Sequence, residues 1–121
     1  QSKLANALFS LELARRWRAE GSAATANSLH PGIINTNLGR HFAEWKHVAT
    51  KLIGWTFMKS IPEGAATSCY LATAPALARS SGHYFENCNP VIPKAGKHME
   101  DLAMAAALWQ KSTELTSRYL A

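Results

Sequence analysis

Only two segments of this chain read as β-strands, residues 24–30 and 82–88, while four read as helices. The order is helix, strand, helix, helix, strand, helix. Two strands make a poor sheet, because an isolated pair is marginal in water and needs neighbours. The helices carry more apolar surface than two strands absorb. The pattern therefore fits the C-terminal portion of a larger α/β layer whose N-terminal half is absent from these 121 residues.

Residues 2–20 have helical spacing, with Leu4, Leu8, Leu11 and Arg15 on one face and Phe9, Leu13 and Trp17 on another. Apolar residues on two faces call for burial on both sides, or for burial on one and a partner on the other. Arg15, Arg16 and Arg18 fall in the last turns, where cations complement the helix dipole, and Gly21 supplies a stop. The strand that follows is broken at its carboxyl end by Pro31-Gly32. Ligands of open α/β sheets bind beyond the carboxyl ends of strands, so the placement matters more than the dipeptide, an ordinary turn signal.

Phe42, Trp45, Val48, Leu52 and Trp55 step by three or four and predict an amphipathic helix over 41–59. A sharp start signal comes next in Ser60-Ile61-Pro62-Glu63: Ser60 can cap, Glu63 can reach back, and Pro62 suits a first turn. The helix to Thr73 is rich in small residues, which allows close packing on a sheet, and Pro75 ends it. After the strand at 82–88, Pro90 and Pro93 read as a turn-rich connector. A last helix spans 100–119, with Leu102, Ala105, Leu108, Trp109 and Leu115 as its buried stripe.

Composition excludes several classes. Hydrophobic residues make up 47% of the chain, enough for a core and too many for disorder. The net charge of +5 is dispersed and no nucleic-acid motif accompanies it, so nucleic acid is not an expected partner. No apolar run reaches the roughly 20 residues of a bilayer span. Cys69 and Cys88 lack the spacing of a redox or metal pair and read as reduced thiols of an intracellular protein, cytoplasmic or membrane-peripheral. His41 and His47 are wrongly spaced for one helical face, and no metal site is expected.

Gln1-Ser2-Lys3-Leu4-Ala5-Asn6, then Leu29-His30-Pro31-Gly32 with Thr36, then Gly64-Ala65-Ala66-Thr67, Gly82-His83-Tyr84-Phe85 and Leu108-Trp109 together resemble the second half of a short-chain dehydrogenase/reductase. The similarity covers nearly the whole chain and is closest to the retinol dehydrogenase-like branch, which includes WW-domain-containing oxidoreductases. It implies that residues 1–121 are the C-terminal segment of a single NAD(P)-binding, Rossmann-type doubly wound domain, with NADP or NAD as cofactor and a small alcohol/carbonyl pair as substrate. Lys3 matches the lysine that holds the nicotinamide ribose and lowers the pKa of a tyrosine four residues earlier, which here falls upstream of Gln1. Pro31, Gly32 and Thr36 match the loop lining the nicotinamide. Phe42, Trp45 and Trp55 occupy the variable substrate-binding segment, where their stripe fits either a cover over an apolar substrate or an ordinary amphipathic surface helix. Ser2 is a helix-surface residue, not the family's catalytic serine.

The resemblance further implies that the isolated chain is inactive, lacking the phosphate-binding glycine loop and two catalytic hydroxyls. A second reading is a non-catalytic interaction module of the same fold, pairing through residues 2–20, which in the family often lie in a homo-oligomer interface. Trp45 and Trp55 with Lys46 and Lys51 also fit a helix in peripheral membrane contact.

Overall fold

The computed structural model describes residues 1–34, 58–92 and 98–119. Within them the chain is α/β: three α-helices and one small mixed sheet of three short strands. The helix expected over 41–59 lies outside the described residues except at its end, where Lys59 is not helical. It forms an isolated parallel bridge with Ile34, and its N–H donates to the Ile33 carbonyl at 2.8 Å.

Helix α1 spans Ser2–Ala19. It stops as Gly21 predicts. Gly21 has φ +68°, its N–H donates to the Arg18 carbonyl at 3.2 Å, and the Ser22 N–H reaches back to Trp17 at 2.9 Å. These two bonds close a Schellman motif, in which a left-handed residue lets the chain turn back on the last carbonyls. Ala7, Leu8, Ser10, Glu12 and Ala14 are its buried residues.

Strand β1, Ser28–His30, is shorter than the sequence suggests. Residues before it are held by side chains and one backbone bond: Asn27 donates to the Ser80 carbonyl and accepts from the His83 N–H, the Ser81 hydroxyl accepts from the Ala26 N–H, and the Gly82 N–H donates to the Ala26 carbonyl at 2.7 Å. Helix α2, Ile61–Thr73, opens with the expected capping box, Ser60 and Glu63 each accepting the other's backbone N–H. Gly64 is buried against Ile34, whose side chain leaves no room for a Cβ, and so α2 sits closely on the end of β1.

Strand β2, Tyr84–Glu86, pairs parallel to β1 with Leu29 opposite Phe85. Phe85, 1% exposed, is the largest fully buried side chain among the described residues. Strand β3, Asn89–Pro90, corrects the sequence reading, which treated this stretch as connector. It pairs antiparallel to β2, with Glu86 opposite Asn89. Pro90 lacks an N–H and so suits an edge strand; the next donor, Val91 N–H, bonds the Tyr84 carbonyl.

Helix α3, Leu102–Thr116, is capped by Asp101, which accepts the Met104 N–H, and it continues into a 3-10 turn at Ser117–Tyr119. Its expected stripe needs correction. Ala105 is fully buried, but Leu102 and Leu115 are 55% and 59% exposed. What α3 gives to α1 is aromatic: Trp109 stacks on Phe9 with ring centroids 5.3 Å apart, and the Arg16 guanidinium lies 4.6 Å over the same ring. Beside this contact Glu12 is wholly covered and accepts from Arg15 and Arg16 at 2.7–2.8 Å. The Arg15 hydrogen bond lowers its pKa most, burial opposes this, and Arg16 lowers it further.

Candidate site at the carboxyl edge of the sheet

Because β1 and β2 are parallel, their carboxyl ends lie at one edge. The residues there are Pro31 and Gly32 after β1, and Asn87 after β2. Asn87 and Cys88 both have positive φ, 52° and 62°, and they join β2 to β3 as a two-residue turn. Positive φ at both central residues is the signature of a type I′ hairpin turn, and Asn tolerates it better than most residues.

Thr67 of α2 holds this turn. It is 1% exposed, and its hydroxyl accepts the Cys88 N–H at 3.2 Å. Lys59 closes the other side. Its stem passes over Gly32 and its Nζ donates to the Asn87 Oδ1 and, at 3.5 Å, to the Pro31 carbonyl. Gly32 has φ +87°, and a Cβ there would meet the Cδ and Cε of Lys59 at 2.9 Å. Glycine is required by conformation, whereas the contact is with the far end of a flexible side chain that can move aside. Its neighbour Ile33 is 65% exposed, an apolar side chain at the open edge.

Of the residues singled out from sequence, Pro31 and Gly32 lie within this cluster. Lys3 is exposed on the first turn of α1. No hydrogen bond joins it to Pro31 or Gly32 among the described residues. α1 contacts β1 after a reversal at Gly21, so the chain turns back along the helix toward its N-terminal turn. Thr36, Phe42, Trp45 and Trp55 lie outside the described residues. Lys59, Asn87 and Thr67 were not legible as site residues. The signals were present, a lysine just before a helix cap and an Asn at a hairpin tip, but only the fold brings them together.

A glycine without a side chain and an exposed Ile33 at the strand edge fit the flat nicotinamide end of a dinucleotide. The glycine-rich loop that would cradle its phosphates is not in these residues. A cavity of about 410 Å³ between α1 and the β2–β3 hairpin, lined by Leu11, Gly82, Tyr84 and Val91 among others, touches none of Pro31, Gly32, Lys59 or Asn87. Among the described residues no three His, Cys, Asp or Glu side chains gather as metal ligands, and no helix is long and apolar enough to cross a membrane.

No family model matches the chain. Individual proteins do. The chain is 45% identical to retinol dehydrogenase 14 of Homo sapiens over 93% of its length, covering 33% of that protein. It is 44% identical to short-chain dehydrogenase TIC 32 A, chloroplastic, of Brassica napus, over 95% of its length and 35% of that protein. To the WW domain-containing oxidoreductase of Gallus gallus it is 40% identical over 99% of its length, covering 28% of that protein. The chain thus spans about a third of the length of the curated relatives it matches.

Proposed function

The chain belongs to the short-chain dehydrogenase/reductase family, and we propose that it is the C-terminal part of an NAD(P)-dependent oxidoreductase interconverting an alcohol and a carbonyl. In this reading residues 1–121 complete a Rossmann-type domain begun upstream. The observation that carries it is the Pro31-Gly32 loop at the shared carboxyl edge of β1 and β2.

A bound dinucleotide supplies the hydride donor or acceptor. This chain's residues bind and orient. The backbone of Pro31 and Gly32 would line the nicotinamide, and Thr36 would bind its carboxamide or the pyrophosphate. Lys3 donates to the nicotinamide ribose. The family places a tyrosine four residues earlier, one turn back on the same helical face. An ammonium there favours the phenolate, bringing a group that ordinarily ionises near pH 10 toward neutrality, so that it can move a proton to or from the substrate oxygen. The name retinol dehydrogenase 14 supports an apolar alcohol as substrate, with Phe42, Trp45 and Trp55 covering it. Peripheral membrane contact and homo-oligomer formation through residues 2–20 belong to the same proposal.

The test is oxidation of retinol and shorter apolar alcohols by the full-length protein with NADP⁺ or NAD⁺, alongside the 121-residue chain alone. Cofactor-dependent turnover by the first and none by the second is expected. Turnover by the isolated chain overturns the account. A second reading, a non-catalytic pairing module, has one observation in its favour: Phe9 remains 49% exposed on α1 even while stacked on Trp109. A full-length protein that self-associates and turns over nothing would favour it.

A further inference from the structure

We propose that Lys59 is a positioning residue for dinucleotide binding, acting as a latch that holds the Pro31–Gly32 loop against the β2–β3 turn. The proposal rests on the functional reading above and adds to it a residue and a mechanism.

Three chain segments meet at this one side chain. Its backbone is bridged to the end of β1 through Ile33 and Ile34. The residue after it, Ser60, caps α2, so the stem leaves from a fixed point. Its Nζ then spans from the Pro31 carbonyl to the Asn87 Oδ1, joining the loop after β1 to the turn after β2.

The turn it grips is itself anchored. Asn87 and Cys88 hold positive φ, a conformation disfavoured for residues with a Cβ, and the buried Thr67 hydroxyl keeps the Cys88 N–H in place. A strained, pinned turn is a firm attachment for the latch; a mobile one would not transmit position. On the other side, Gly32 at φ +87° has no side chain to fix it by packing. The Lys59 methylenes take the space a Cβ would fill and supply that packing from outside. An aliphatic residue would give the packing without the two polar bonds. An ammonium has three donors, and two are used by Pro31 and Asn87. Geometry at the loop is thus set by a bond that neither Pro31 nor Gly32 makes alone.

The test uses the full-length protein and three variants: Lys59→Met, which keeps the stem and removes the ammonium, Asn87→Ala, and the double variant. Backbone hydrogen exchange at Gly32 and Ile33 reads the latch, and titration with NADPH and NADH reads its consequence. Each single variant is expected to speed exchange at both amides and to weaken dinucleotide binding by about tenfold or more, the scale of a hydrogen bond from a charged donor, with Lys59→Met the weaker because it also loses the bond to Pro31. The double variant is expected to be no weaker than Lys59→Met, because that substitution already removes the bond to Asn87 along with the one to Pro31. In turnover the dinucleotide KM should rise while the alcohol KM stays fixed, a split that general loosening of the fold does not produce. Unchanged exchange in Lys59→Met overturns the latch. Faster exchange with unchanged dinucleotide affinity overturns its role in binding. A wild-type protein that binds neither dinucleotide overturns the functional reading and the latch's role in binding with it, while the exchange measurement separately reports whether the latch exists.

Discussion

The hydroxyl of Thr67, buried in the middle of α2, accepts the backbone N–H of Cys88 at 3.2 Å and lies 3.8 Å from that residue's Sγ. A helix thereby fixes a hairpin turn that contains two positive-φ residues. Thr67→Val keeps the shape and removes the acceptor, leaving a partly buried N–H unpaired. The expected loss is about 1–2 kcal/mol in chemical denaturation, with Thr67→Ser losing less.

Gly32 carries two constraints of unequal weight. Gly32→Ala introduces a Cβ at φ +87° and 2.9 Å from the Lys59 stem. A destabilisation of about 1–2 kcal/mol is expected, chiefly from the backbone strain, because the flexible end of Lys59 can move aside. Adding Lys59→Ala should therefore recover little of the loss.

Gly64 differs from Gly32 in cause. Its backbone is ordinary helix, and space alone demands glycine, because Ile34 occupies the Cβ position. Gly64→Ala should cost about 1–3 kcal/mol by overpacking. Ile34→Ala in the same chain should restore much of it, the reverse of what strain would allow.

The Glu12 carboxylate gives a pH dependence of known sign. Its folded pKa is held below the ordinary value of 4.5, first by the Arg15 hydrogen bond, against burial, and then by Arg16. A depressed carboxylate contributes stability that is fully present above the unfolded value and is lost as pH falls through the folded one. Wild type should therefore exceed Glu12→Gln in stability at neutral pH, by about 1–2 kcal/mol, and the gap should close at acid pH below 4.5. Added salt should shrink it as well, since the Arg15 side chain is 50% exposed.

Local chemistry was legible in the sequence where it is self-contained. Gly21 ended α1, and Ser60 with Glu63 built the capping box, because caps depend on residues only a few positions apart. Long-range pairing was not. β3 at Asn89–Pro90 looked like a connector because two residues carry no alternation and proline seems to forbid a strand, which an edge position permits. Leu102 and Leu115 fit a helical stripe by spacing yet stay exposed, since α3 meets α1 through Trp109 stacked on Phe9. At the site, Pro31-Gly32 stood out as a break after a strand. Lys59 and Asn87, 28 residues apart, gained meaning only when the parallel pairing brought their segments to one edge.

The central claim is that this chain carries the lysine and the loop of a dinucleotide-dependent alcohol/carbonyl oxidoreductase. The most direct measurement is cofactor-dependent oxidation of an apolar alcohol by the full-length protein and by Lys3→Met, with folding of both verified by thermal melting. The account predicts turnover by wild type and a loss of at least about 100-fold in the variant, the scale of general acid/base catalysis. Turnover by Lys3→Met equal to wild type would contradict it.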